Sequence, residues 1–218
     1  MICGIDEAGR GPVIGPLVIA GIKLEDDLKL KELKVKDSKK ILPKRRKILS
    51  NIIKEIALDY EILMIPAKDI DDMRKVMTLN EIEVYAYTKI IKKLKAETCY
   101  VDSVDVNEDR FGDDILSGLS YKPIIISKHK ADEKYPIVSA ASIVAKSKRD
   151  QEVKNIAKEL ENIINMPLGS GYPADPITQN FLKTWLNKFG KLPPYTRRSW
   201  KTVKNILNEK NNRKLDEF

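Results

Sequence analysis

Met1-Ile2-Cys3-Gly4-Ile5-Asp6-Glu7-Ala8-Gly9-Arg10-Gly11-Pro12 opens the chain. Its first five residues are apolar, and Ile2 to Asp6 reads as a buried strand ending on two adjacent carboxylates. Carboxylates side by side at the end of a buried strand repel each other and lose hydration. A metal cation removes both penalties. The Gly-Arg-Gly turn then sets bare backbone and a guanidinium beside the acids. Ligands for a hard metal next to donors for a phosphate point to phosphodiester chemistry. For an isolated acidic pair the plain alternative is a solvated turn, and further acids at two later strand ends decide against it.

A second apolar run, Val13 to Lys23, comes after the turn as the hairpin partner of strand one. A very basic segment, Lys29 to Lys47, contains Asp37-Ser38-Lys39-Lys40. Pro43 stands where a helix can start, and Arg46 to Leu58 has helical periodicity. Tyr60 to Pro66 reads as strand three, followed by helices over Ala67 to Val76 and Leu79 to Lys95. Thr98 to Asp102 is a fourth strand, again apolar and again ending on an acid. Ile115 to Leu119 is expected to be helical, and Pro123 to Ser127 forms strand five. Beyond it the pattern predicts only helices, over Ile137 to Ile164, Ile177 to Lys188 and Ser199 to Asn208. Strands first, then helix–strand units, then an all-helical third define an α/β chain.

The 218 residues carry 40 Lys+Arg against 32 Asp+Glu, a net charge of +8. That balance favours a polyanionic partner. The apolar runs are too short and too broken by Gly and Pro to span a bilayer. No charged leader precedes strand one, so no secretory signal is predicted. Two cysteines are too few for a disulfide framework. These features predict a cytoplasmic protein, with Cys3 and Cys99 reduced.

Three strand ends carry acids: Asp6 with Glu7, Asp102, and Asp132 in Lys128-His129-Lys130-Ala131-Asp132. Ligands of open α/β sheets sit outside the carboxyl ends of strands, so these acids can converge while distant in sequence. Four carboxylates suit two Mg²⁺ or Mn²⁺ ions about 3.5–4 Å apart. As a lone residue, Asp132 could equally cap the next helix. One histidine and two separated cysteines make no usual zinc site. His129 is assigned a surface or supporting role, outside catalysis. Nothing resembles a nucleophile elbow.

Six blocks together resemble the ribonuclease HII (type 2 ribonuclease H) family. They are Asp6-Glu7-Ala8-Gly9-Arg10-Gly11, Asp37-Ser38-Lys39-Lys40, Val101-Asp102 and Lys130-Ala131-Asp132. The others are Val138 to Lys146 with Arg149-Asp150, and Gly169-Ser170-Gly171-Tyr172-Pro173. The resemblance runs in order from Met1 to Trp200. It implies a ribonuclease H-like mixed five-stranded sheet, order 3-2-1-4-5, flanked by helices, with a C-terminal helical extension. The corresponding division is 1–165 catalytic domain, 166–210 helical extension and 211–218 tail, in a protein acting as a monomer.

The implied activity is endonucleolytic hydrolysis of the RNA strand of RNA–DNA hybrids and of single ribonucleotides embedded in duplex DNA. Two metal ions would support it, leaving a 3′-hydroxyl and a 5′-phosphate. Asp6, Glu7, Asp102 and Asp132 would be the catalytic metal ligands. Gly9, Arg10 and Gly11 would read the ribose 2′-hydroxyl, the group that distinguishes RNA from DNA. Tyr172 would lie at the RNA–DNA junction. Lys39, Lys40 and Lys146 are candidate phosphate contacts.

A related ribonuclease H-fold DNA nuclease is disfavoured by the Gly-Arg-Gly loop with its tyrosine. A nucleotide-binding protein using Gly9 to Gly15 as a phosphate cradle lacks the Gly-Lys-Ser/Thr ending and the subsequent helix. A non-catalytic nucleic-acid-binding module does not need the acid quartet. The tail adds one further expectation. Asn212, Leu215 and Phe218 resemble a sliding-clamp-binding box, with Asn in place of the usual Gln and no second aromatic before the chain stops.

Overall fold

The computed structural model describes residues 1–33, 35 and 41–215, and for 211 and 213–215 the backbone alone. The Asp37–Lys40 block, with the candidate contacts Lys39 and Lys40, lies outside the described residues. So do Phe218 and the Leu215 side chain.

The sheet contains β1 (Ile2–Ala8), β2 (Leu17–Leu24), β3 (Asp59–Ile65), β4 (Thr98–Asp102) and β5 (Ile124–Lys128). Its order is β3-β2-β1-β4-β5, as the sequence resemblance implies. β1 runs antiparallel to β2 and parallel to β4, and β4 runs parallel to β5. The helices are α1 (Leu28–Glu32), α2 (Pro43–Ile56), α3 (Ala67–Met73), α4 (Leu79–Leu94) and α5 (Glu108–Ser117). After β5 come α6 (Ala131–Lys134), α7 (Pro136–Ile164), α8 (Pro176–Phe189) and α9 (Lys201–Leu215).

Several boundaries differ from the sequence reading: β1 runs to Ala8 rather than Asp6, α5 begins at Glu108 rather than Ile115, and the short helices α1 and α6 were not expected. Val13 to Pro16 is buried loop rather than strand, because it packs into a core of its own with Leu160, Phe181 and Leu186. The last helix continues to Leu215, seven residues past the predicted Asn208, so Asn212 is an exposed helical residue.

The chain forms two compact units that interleave in sequence. The first comprises 1–8, 18–64 and 77–150; the second comprises 9–17, 65–76 and 151–218.

In the first unit the period of two along β1 sorts its side chains between two helices. Gly4 faces α7 so closely that a Cβ there would overlap the Ile137 carbonyl. The run Ser139-Ala140-Ala141-Ser142 keeps that helix face small, and all four residues are fully buried. Val18, Ala20, Ile22 and Leu24 of β2 join Ile137, Val138, Ala141 and Val144 in one core. Ile5 points to the opposite face, as does Gly21, where an added Cβ would meet Ile90 and Leu94 of α4. Cys3 and Cys99 are direct partners across β1 and β4, both fully buried and free. Their adjacency matches a three-residue offset from Asp6 and Asp102. The Cys99 thiol and burial push the Cys3 thiol well above its usual range, as expected of a packed, reduced pair.

In the second unit Val13, Ile14, Leu160, Phe181, Leu186 and Val203 form a separate core. It joins the loop after β1 to the C-terminal half of α7 and to α8 and α9.

Candidate active site

The β1–β4 register pairs Ile5 with Val101, so the next step along both strands sets Asp6 alongside Asp102. Asp6, Glu7 and Asp102 each offer a carboxylate oxygen within 4.8 Å of the others. β1 does not end at these acids. It continues to Ala8 against β2, while its pairing with β4 stops at Ile5. The carboxylates therefore occupy the step where the parallel half of the sheet opens.

Asp6 is 4% exposed. Burial, then the charges of Glu7 and Asp102, push its carboxyl well above the usual carboxylate range. A hydrogen bond from Ser142 and the charge of Lys146 oppose that rise. Ser142 and Lys146 stand one turn apart on α7, so the small helix face that admits Gly4 also delivers both to Asp6. Glu7, on the other face of β1, accepts a 2.7 Å hydrogen bond from the buried Tyr87 hydroxyl of α4. The Tyr87 ring packs edge-on against Phe111, with centroids 5.3 Å apart. Burial and the nearby acids raise the Tyr87 phenol well above its usual range, so it remains a donor.

Asp102 Oδ1 accepts a 2.6 Å hydrogen bond from the Ala131 amide. Asp132, the next residue, is buried in the first turn of α6. Its carboxylate lies outside the trio of Asp6, Glu7 and Asp102. Both His129 ring nitrogens approach backbone carbonyls, Ser103 and Val106, each at 3.3 Å. Those contacts tie the ring to the loop after β4.

The donor set fits a divalent metal. Three clustered carboxylates, one of them buried and resisting ionisation, are hard oxygen ligands whose mutual repulsion a cation relieves.

Gly9, Arg10 and Gly11 belong to the second unit and have their own support. Gly9 has φ +90°, which a side chain rarely tolerates. Arg197 is fully buried. Its guanidinium donates to the carbonyls of Gly9 at 2.6 Å, Arg10 at 3.0 Å and Gly15 at 2.9 Å. It also stacks over the Trp200 ring at 4.8 Å, and the Trp200 indole donates to Gly11 O at 3.1 Å. Val13 N donates to Gly171 O at 2.8 Å, which ties this loop to Gly169–Pro173. A Cβ on Gly11 would stand 3.6 Å from Tyr172 Cε1, and the tyrosine itself is 43% exposed. The sequence-predicted pair, Gly-Arg-Gly loop and Tyr172, is therefore adjacent.

Tyr87, Ser142, Arg197 and Trp200 were missed by sequence reasoning. Tyr87 sits in an apolar helical stripe that reads as core. Ser142 lies inside a quoted block but carries no sign of its partner. Arg197 and Arg198 are indistinguishable in a basic run.

A mixed sheet of this order with carboxylates gathered where β1 and β4 part defines a metal-dependent nuclease of the ribonuclease H class. The family model described as Ribonuclease HII matches residues 3–203, and the chain belongs to that family. The ribonuclease HII of Thermococcus sibiricus is 47% identical over 207 residues, covering 93% of this chain and 89% of its own length. The crystal structure of ribonuclease H2 from Pyrococcus horikoshii OT3 superimposes with a TM-score of 0.88 at 40% identity, covering 95% of this chain and 97% of that one. A chain in the structure of the PCNA:RNase HII complex from Archaeoglobus fulgidus does so at 0.86 and 41% identity, covering 94% and 96%. The chain is an endoribonuclease acting on RNA paired with DNA.

Proposed function

We propose that the enzyme cleaves at single ribonucleotides embedded in duplex DNA as well as in longer hybrids, leaving a 3′-hydroxyl and a 5′-phosphate. The observation that carries this reading is the trio Asp6, Glu7 and Asp102, with oxygens within 4.8 Å of one another. Asp132 completes the ligand set on this proposal, next to the amide that holds Asp102. When bound, two Mg²⁺ or Mn²⁺ ions supply an activated water and stabilise the departing 3′-oxygen. The chain's own residues do the rest. Ser142 and Lys146 offset charge at Asp6, and Tyr87 orients Glu7. The Gly9–Gly11 loop presents backbone groups to the ribose 2′-hydroxyl, and Tyr172 lies against the neighbouring deoxyribose. Lys146, Lys39 and Lys40 meet phosphates. The enzyme acts as a monomer in the cytoplasm.

The test is cleavage of an end-labelled duplex carrying one ribonucleotide, with Mg²⁺, with Mn²⁺ and with chelator. Metal-dependent cutting on the 5′ side of the ribonucleotide is expected, and a duplex left intact under every condition refutes the proposal. Tyr172→Ala should lose more activity on this duplex than on a continuous hybrid. Equal losses would remove the junction role.

A sliding clamp is the proposed protein partner, supported by the Archaeoglobus fulgidus relative having been solved in complex with PCNA. On this chain Asn212, Leu215 and Phe218 would dock. Titrating the cognate clamp with wild type and with Leu215→Ala/Phe218→Ala tests it, and equal binding by both discards these residues.

A further inference from the structure

The second unit contains a cavity of about 800 Å³ between α3 and the segment from Pro193 to Lys204. Five cations line it, Lys68, Arg74, Lys75, Arg198 and Lys204, against two carboxylates. Both carboxylates are already engaged. Asp71 accepts from the Arg198 amide at 2.7 Å, the Ser199 amide at 2.9 Å and the Ser199 hydroxyl at 2.6 Å. Asp72 pairs with Lys75 at 2.6 Å. Among the described residues, Lys68, Arg74, Arg198 and Lys204 form no ion pair, and all four are exposed. Like charges gathered round one hollow repel each other, and a polyanion relieves that repulsion.

The cavity wall is also the scaffold of the Gly9–Gly15 loop. Gly15 N donates to Tyr195 O at 2.9 Å and Arg197 N to Val13 O at 2.8 Å, while the Arg197 side chain holds Gly9 and Arg10. Arg198, the next residue, turns to the cavity. We propose that this basic cavity binds the phosphodiester backbone of the substrate duplex, in the arm flanking the ribose that the loop reads. The inference rests on the function proposed above. The cavity supplies affinity that is indifferent to base and sugar, while the loop supplies discrimination.

The experiment measures duplex binding by fluorescence anisotropy in chelator, from about 50 to 300 mM KCl. It compares wild type with Lys68→Gln/Lys204→Gln and with Arg74→Gln/Arg198→Gln, each checked for unchanged thermal unfolding. Each lost phosphate contact lowers the slope of log K against log salt by about 0.9, so a fall of about 1 to 2 is expected per pair. The loss should be equal for an all-DNA duplex and for one carrying a ribonucleotide. Slopes and affinities unchanged in both folded variants overturn the proposal. So does a variant that loses binding of inorganic pyrophosphate but keeps the wild-type duplex slope, because the cavity is then a small-anion site. Wild-type cleavage of the ribonucleotide duplex is measured in parallel. Cleavage with unchanged slopes rejects the cavity alone, whereas absent cleavage rejects the underlying function.

Discussion

Asp6 combines near-complete burial with two like charges, and its environment favours the neutral acid unless a cation is present. Asp6→Asn should abolish cleavage yet raise the melting temperature of the metal-free protein, by relieving repulsion with Glu7 and Asp102. Mg²⁺ or Mn²⁺ should raise the melting temperature of wild type, and Asp6→Asn should erase that shift. Thermal unfolding with and without metal, beside a cleavage assay, checks both outcomes. Tyr87 would act one step back from a metal held by Glu7, through its hydrogen bond to that carboxylate. Tyr87→Phe keeps the ring and its contact with Phe111 but removes that donor. Groups that orient metal ligands are typically worth about 10–100-fold in metal affinity or activity. Tyr87→Phe should therefore raise the metal concentration for half-maximal cleavage by about tenfold, and excess metal should restore most of the rate. A loss that no metal concentration restores would point to damaged packing instead.

At the scale of elements, the loop between β1 and β2 has no helix or strand, only an isolated bridge from Ile14 to Thr196, and takes its shape from Arg197. Three carbonyls depend on one guanidinium. Lysine carries the charge but not the planar fork, so Arg197→Lys leaves at least one carbonyl poorly paired. The expected result is a lower melting temperature and a fall of up to about 10²-fold in cleavage well below it, from misplacement alone. The loss in kcat should exceed the loss in duplex affinity, whereas a purely structural role moves neither below the transition. Asp175 performs a similar service for the Tyr172 loop and for α8. It accepts from Ser170 N at 2.6 Å, Ser170 Oγ at 2.7 Å and Ile177 N at 2.9 Å. Those donors favour its charged form and lower its carboxyl from 3.8 to about 2. A carboxyl depressed on folding stabilises the protein above its unfolded value, and the contribution disappears as pH falls through the folded value. Wild type should therefore lose stability from about pH 4 down to about pH 2. Asp175→Asn should be less stable at neutral pH and lose less across that window. Melting temperature against pH for the two proteins is the measurement.

At the scale of the molecule, neither compact unit is a continuous stretch of chain. The second unit takes residues 9–17 from between β1 and β2 and residues 65–76 from between β3 and α4. Its core places Val13 and Ile14 with Phe181, Leu186 and Val203. A fragment ending at residue 165 keeps Val13 and Ile14 but loses those partners, along with Arg197 and Trp200. We expect that fragment to lack a cooperative unfolding transition by calorimetry and to be inactive. The full chain should unfold cooperatively and cleave. A folded, active fragment would show that the C-terminal residues are an accessory to the catalytic unit.

The sequence by itself determined the strand order through its family resemblance, the approximate elements, and the acids Asp6, Glu7 and Asp102. It did so because in β1 and β4 a short apolar run leads directly into charge, a local signal that survives without coordinates. The Cys3–Cys99 contact was legible for the same reason, since a period of two and a parallel neighbour suffice to place it. Only the tertiary structure decided which neutral or cationic residues serve those acids and loops. Tyr87 reaches Glu7 across 80 residues of sequence, and Arg197 reaches Gly9 across 188. Such partners carry no local pattern, because a buried tyrosine on a helix face and an arginine in a basic run look alike whether or not anything depends on them. The buried course of Val13 to Pro16 was likewise settled by packing, which overrides local propensity where a long-range core is available.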